Sequence, residues 1–163
     1  MNLIRTSIAQ VIVASWRPSL LLACILFFTL LFILYATGDL GVPVILSFWL
    51  WNVTISSMVA HELGHLLTVR IQGGSVKCGN VHSSWSGVWI SVKKDNRINM
   101  RLAAFAGPIA GAILCCAWNV VGAPSVIVYT ILFIHLANLI PPFADGVTLF
   151  NETYKRNLKN NVH

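Results

Sequence analysis

From Ser19 to Thr37 the chain runs through nineteen consecutive residues without a charge, nearly all apolar. As a helix rising 1.5 Å per residue, this run covers about 28 Å, close to the hydrocarbon thickness of a bilayer. A backbone placed there must satisfy its own hydrogen bonds, which leaves a helix as the natural structure for such a run. Three further apolar stretches follow, at roughly Val44–Val69, Leu102–Val121 and from near Val126 to an interruption at Pro141-Pro142. With 56% hydrophobic residues, 10% charged residues and a mean hydropathy of +0.75, the 163-residue chain falls in the membrane class. The expected fold is an all-α polytopic membrane protein with about four transmembrane helices, forming one domain over residues 1–163. A cleavable signal peptide is the competing reading of the first run, because Arg5 and Arg17 precede it. Signal cores are shorter, and Tyr35-Ala36-Thr37-Gly38 makes a poor cleavage site, so the run reads as a retained helix.

Charge placement tests the span count. Arg5 and Arg17 precede the first span, Arg70, Lys77, Lys93, Lys94, Arg97 and Arg101 separate the second from the third, and Lys155, Arg156 and Lys159 follow the fourth. Four antiparallel spans therefore put all eleven Lys and Arg on one side. The positive-inside rule makes that side cytosolic, with both termini inside. A bacterial plasma membrane is the expected home of so compact a chain. The net charge of +6 does not point to nucleic acid, since the basic residues flank apolar spans and do not interleave with aromatics in a patch. The tryptophans Trp16, Trp49 and Trp51 fall near proposed span ends, where interfacial positioning accounts for them.

The Arg70–Arg101 segment is the sizeable stretch outside the spans. Gly73-Gly74 breaks the preceding helix, and Val88, Ile90 and Val92 alternate with Trp89, Ser91 and Lys93. A period of two predicts a strand in a small cytosolic hairpin or sheet between the second and third helices, with Val76 and Cys78 in its partner strand. Cys24, Cys78, Cys115 and Cys116 show no CxxC spacing and read as buried packing thiols.

The second span carries His61-Glu62-Leu63-Gly64-His65. Residues four apart share a helix face, so His61 and His65 present two imidazoles to one metal ion, and Glu62 is placed to reach a water bound to it. Ionisable groups at membrane depth are costly and mark function. His61 lies nine residues from Arg70, about 13 Å along a helix, which puts it inside the membrane towards the basic side. Catalytic zinc usually takes a third protein ligand. Among the acidic residues Asp39, Glu62, Asp95, Asp145 and Glu152, Asp39 belongs on the opposite side and Asp95 in a basic turn, whereas Asp145 sits at a broken helix and approaches the same level on the fourth span. Ala103, Gly107 and Gly111 form a stripe of small residues that allows close helix approach. Ser57, one turn before His61, reads as bonding back to its own helix. His135 is either a partner of the site or a packing histidine, and His82 near Cys78 is an ordinary loop residue.

HELGH in a membrane span, Gly107-Pro108 with Gly111 in the next, and Asn138-x-x-Pro141 followed by Asp145-Gly146 together resemble the site-2 protease family of intramembrane zinc metalloproteases. The likeness covers about Val44 to Phe150. It implies one zinc ion held by His61, His65 and Asp145, with Glu62 as general base and Asn138 contacting the substrate backbone. It also implies that the loop strands offer an edge to an extended substrate. The Asn138–Asp145 interval is one residue shorter than the commonest family pattern, and Ala144 stands where Leu is usual. The length leaves no room for the PDZ or CBS domains common in the family. The expected partners are a membrane protein or peptide substrate, the lipid bilayer and a regulatory membrane protein. Two other readings fit the same residues: a non-proteolytic zinc protein that binds membrane peptides, and a small ion or proton relay bundle. The absence of inverted repeats argues against the relay.

Overall fold

A computed structural model describes residues 3–73, 75, 77, 79–85, 87–92, 98–141 and 145. In chain order the elements are α1 (Leu3–Ala14), α2 (Trp16–Thr37), α3 (Gly41–Gly73), β1 (Gly79–Ser84), β2 (Gly87–Val92), α4 (Met100–Val120) and α5 (Ser125–Ala137). The helical, apolar architecture with a small hairpin between the second and third spans is as the sequence predicts.

Among the described residues, three helical stretches are long and apolar enough to cross a membrane: Leu3–Thr37, Gly41–Gly73 and Met100–Val120. The protein is therefore a multi-pass membrane protein. α5 is apolar but has only 13 residues, about 20 Å of helix. The fourth span is thus shorter than the others, ending at Ala137 before the prolines are reached. Asn138 closes it by donating its N–H to the Ile134 carbonyl, and the Leu139 N–H donates to the Leu136 carbonyl.

Short links fold the helices back on one another. Gly38 ends α2 in the left-handed region (φ 72°), donating its N–H to the Leu34 carbonyl, and a side chain there would be strained. Asp39 then turns the chain into α3, its carboxylate accepting the Gly41 N–H at 2.8 Å. Gly122 makes the equivalent turn between α4 and α5 with φ 95°. α4 begins on Asn99, whose side-chain oxygen accepts the N–H groups of Arg101 and Leu102.

The central pairing is α3 against α4, with α5 and α1 packed beside it. Small residues make the approach possible. Ala103, Ala104, Gly107, Pro108, Gly111 and Ala112 of α4 are all buried, and a methyl on Gly64 of α3 would lie 2.5 Å from the Ala106 carbonyl. One apolar cluster joins Val53, Cys115, Ala123, Val128 and Ile131 towards the turn between α4 and α5. A second joins Val69, Ile98 and Ala103 near the hairpin. α2 buries none of its residues, and Phe28 and Phe32 stand 67% and 70% exposed. In water such a surface would aggregate; in a bilayer it faces acyl chains.

One expectation needs correction in detail. Cys115 is buried, but Cys24 and Cys116 are exposed on helix surfaces and do not pack the core. Trp49 packs edge-on against Trp118 at 6.0 Å beside the first cluster. The strand paired with β2 is Gly79–Ser84, with Gly79 opposite Val92, whereas Val76 and Cys78 lie outside the described residues.

The largest departure concerns the N-terminus. The sequence reading assigns no element before the first span, yet α1 runs into α2 with Ser15 itself in helical dihedrals. Pro18 cannot donate to the Ala14 carbonyl, which explains the break in the helix at this point. α1 docks on the end of α3 through Arg70, which is 1% exposed. The guanidinium donates to Ser7 Oγ at 2.8 Å, to the Gly79 carbonyl at 3.0 Å and to Gln10 Oε1. Arg70 thus ties α1, α3 and β1 together. Arg70→Ala would strand these buried acceptors, with an expected loss of about 3 kcal/mol. Thermal unfolding in detergent should show a lowered midpoint; an unchanged midpoint would contradict the strut role.

Candidate metal centre

His61 and His65 project from adjacent turns of α3, and Asp145 comes from the chain beyond α5. The structure brings the three together. His61 Nε2 lies 3.1 Å from His65 Nε2 and 3.2 Å from Asp145 Oδ2, and His65 Nε2 lies 3.3 Å from Asp145 Oδ1. One donor atom from each residue falls within 4.8 Å of the others, and His61 is buried.

The other ring nitrogens are engaged on the far side. His65 Nδ1 is 2.7 Å from the Ala103 carbonyl oxygen, so it carries the proton and donates. In neutral His65 this leaves Nε2 with a bare lone pair facing the carboxylate and the Nε2 of His61. Such an inward convergence of lone pairs and negative charge repels itself unless a cation or protons lie between them. His61 Nδ1 lies 3.0 Å from His135 Nδ1. The triangle of inward donors, with outward nitrogens held by hydrogen bonds, is the arrangement of histidine metal ligands.

α4 supplies the seat for these rings. A methyl on Gly107 would overlap Nε2, Cε1 and Cδ2 of His65, and one on Gly111 would come within 2.7 Å of the His135 ring. The small-residue stripe therefore does more than allow helices to approach. Two of its members leave the volume that imidazoles occupy.

Glu62 and Asn138 line the same cavity of about 350 Å³ as His61, His65 and Asp145. Val88, Trp89 and Ile90 of β2 also line it, together with Met100 and Ala103. All five residues singled out from sequence meet at one cavity, bordered by the hairpin. Ser57 bonds the Thr54 carbonyl of its own helix at 3.1 Å, as expected. His82 bonds Ser91 Oγ at 2.8 Å and stacks on Trp89, well explained by the hairpin alone.

Residues 40–143 match the family model described as Peptidase M50B-like. That stretch covers more than half of the chain. The chain belongs to the M50B-like peptidases. This is the site-2 protease family of zinc metalloproteases, and the His61/His65/Asp145 cluster can hold a metal ion and is consistent with an intramembrane zinc protease active site. The match ends at residue 143, so the M50B-like assignment and the convergence of Asp145 on the two histidines are separate observations. No characterised protein and no solved structure matches the chain closely enough to add a relative or a fold neighbour.

Proposed function

We propose that this M50B-like protein hydrolyses peptide bonds of membrane-spanning or membrane-associated proteins, with zinc as its metal. The observation that carries the reading is the donor triangle. In a tetrahedral zinc site with bonds of 2.0–2.1 Å, ligand atoms stand about 3.3 Å apart. The imidazole nitrogens stand 3.1 Å apart, and each lies 3.2 or 3.3 Å from a different oxygen of the Asp145 carboxylate, so the three side chains are close enough to hold one ion together. Two imidazole nitrogens and a carboxylate oxygen are also the donor chemistry zinc accepts in hydrolytic enzymes.

When bound, zinc supplies Lewis acidity, polarising a carbonyl and making water a better nucleophile at neutral pH. The protein's own groups do the rest. Glu62, beside the ligands but not among them, takes a proton from the attacking water and returns it to the departing amine nitrogen. Asn138, at the end of α5, offers its side-chain amide to the substrate backbone or the developing oxyanion.

A transmembrane substrate must leave its helical form before a peptide bond can enter the site, since helical carbonyls are already hydrogen-bonded. β2 favours the extended form. It lines the cavity and pairs with β1 on one edge, and no other described strand occupies its second edge. An extended segment laid along that edge gains main-chain hydrogen bonds while its peptide plane faces the metal. The described basic residues fall at the hairpin end of the bundle, so the site opens towards the cytosol if the positive-inside rule holds here.

The test is a comparison of membrane proteomes from cells carrying wild-type protein and Glu62→Gln. The reading requires at least one membrane protein with a new terminus in the wild type only. Identical termini in both would overturn it.

A further inference from the structure

We infer that His135 is a positioning residue of the metal centre: its Nδ1 accepts the proton on His61 Nδ1 and so fixes which nitrogen His61 turns to the metal. This rests on the zinc reading above and goes beyond it, because His135 is not one of the ligands. The Nδ1–Nδ1 separation is 3.0 Å, and His135 is 6% exposed in the last turn of α5. The rings lie 5.1 Å apart, tilted by 30°. A hydrogen bond between two imidazole nitrogens needs one proton, so one ring donates and the other accepts.

The ligand geometry decides the direction. His61 turns Nε2 towards His65 and Asp145, so binding a cation through Nε2 requires that nitrogen to be bare and the proton to sit on Nδ1. His61 is then the donor, and His135 Nδ1 must be bare. The proton of His135 is consequently on Nε2, a buried atom that makes no hydrogen bond. A merely packed histidine would gain nothing from leaving that nitrogen unmatched; here the cost secures the acceptor that His61 requires. His65 obtains the same service from a backbone carbonyl, which cannot change its role. Gly111 completes the arrangement, since any side chain there would occupy the space of the His135 ring. The contact also joins α3, which carries two ligands, to the helix whose continuation delivers the third.

The discriminating pair of variants is His135→Asn and His135→Leu. Asparagine places an oxygen acceptor close to the Nδ1 position, whereas leucine keeps volume and removes the acceptor. Zinc affinity of the purified full-length protein, measured by competition with a chromophoric chelator, should fall about 10- to 100-fold in His135→Leu, the usual effect of losing an outer-shell partner. His135→Asn should stay within about threefold of wild type. Thermal unfolding of the metal-free proteins gives the structural control, and the midpoint of His135→Leu should not fall. Wild-type affinity in His135→Leu, or equal weakening in both variants, would overturn the inference. Nitrogen-15 NMR of histidine-labelled, zinc-loaded wild type provides a readout independent of folding in the variants: His135 should show the Nε2–H tautomer, and the Nδ1–H tautomer would refute the proposal. Failure of the wild type to bind zinc would instead overturn the metal reading beneath it.

Discussion

Glu62→Gln should remove peptide cleavage while leaving one zinc ion per chain. Glutamine keeps the shape of glutamate, so the cavity, the α3–α4 packing and the three ligands persist. What it loses is the ability to hold a proton. Removing a positioned general base typically slows a reaction by about 10²- to 10⁴-fold. The effect should appear in kcat with little change in KM, because Glu62 acts on the reacting water and not on the extended substrate lying against β2. Cleavage of a reconstituted transmembrane substrate, normalised to bound zinc, measures it. A variant with normal zinc and normal cleavage would show that Glu62 is not the base. A membrane zinc protein without proteolytic activity would show no cleavage in the wild type either.

Gly107→Ala should be equally damaging although glycine carries no functional group of its own. The added methyl would overlap three atoms of the His65 ring. The ring cannot simply slide, since Nδ1 is held by the Ala103 carbonyl at 2.7 Å and Nε2 faces the other two donors. Moving α4 away is also obstructed, because the same interface holds Gly64 against Ala106 and contains the buried Pro108. The expected outcome is loss of His65 as a ligand. Zinc affinity should fall by more than about 100-fold, the upper range for losing a mere outer-shell partner. Helix content by circular dichroism should be preserved, because alanine favours helix more than glycine. Stoichiometric zinc in a folded Gly107→Ala protein would show that the ring has more freedom than the packing implies.

Both variants show where sequence was informative and where it stopped. Span positions were legible because hydrocarbon tolerates few charges, so the boundaries of α2, α3 and α4 are written directly in composition. The pairing of His61 with His65 follows from helical periodicity, and Asp145 could be found because few carboxylates are present and it sits at a broken helix at the right depth. The function of Gly107 was not legible. Spacing of four announces a close approach, but which side chain fills the space depends on how α4 crosses α3. His135 was ambiguous for the same reason: its use depends on the rotation of α5 relative to α3.

Arg70 marks another boundary of inference. At the end of an apolar span an arginine reads as a topological charge, and it does lie at that end. Its burial depends on α1, a segment whose Leu3, Ile4, Ile8, Val11 and Val13 carry the apolar signal of a helix but which precedes the first obvious span. The hydrogen bonds from Arg70 to Ser7 and Gln10 join residues sixty or more apart, which no local pattern encodes. The hairpin is legible from the alternation in β2, whereas Gly79–Ser84 of β1 is polar and lacks a clear period.

The proposed centre is one zinc ion held by two imidazoles of α3 and the carboxylate of Asp145. Zinc K-edge X-ray absorption on the purified full-length protein tests this most directly. It should show stoichiometric zinc with nitrogen and oxygen neighbours at about 2.0–2.1 Å and outer-shell scattering from two imidazole rings. Sulfur neighbours at about 2.3 Å, or a folded protein that does not take up zinc, would contradict it.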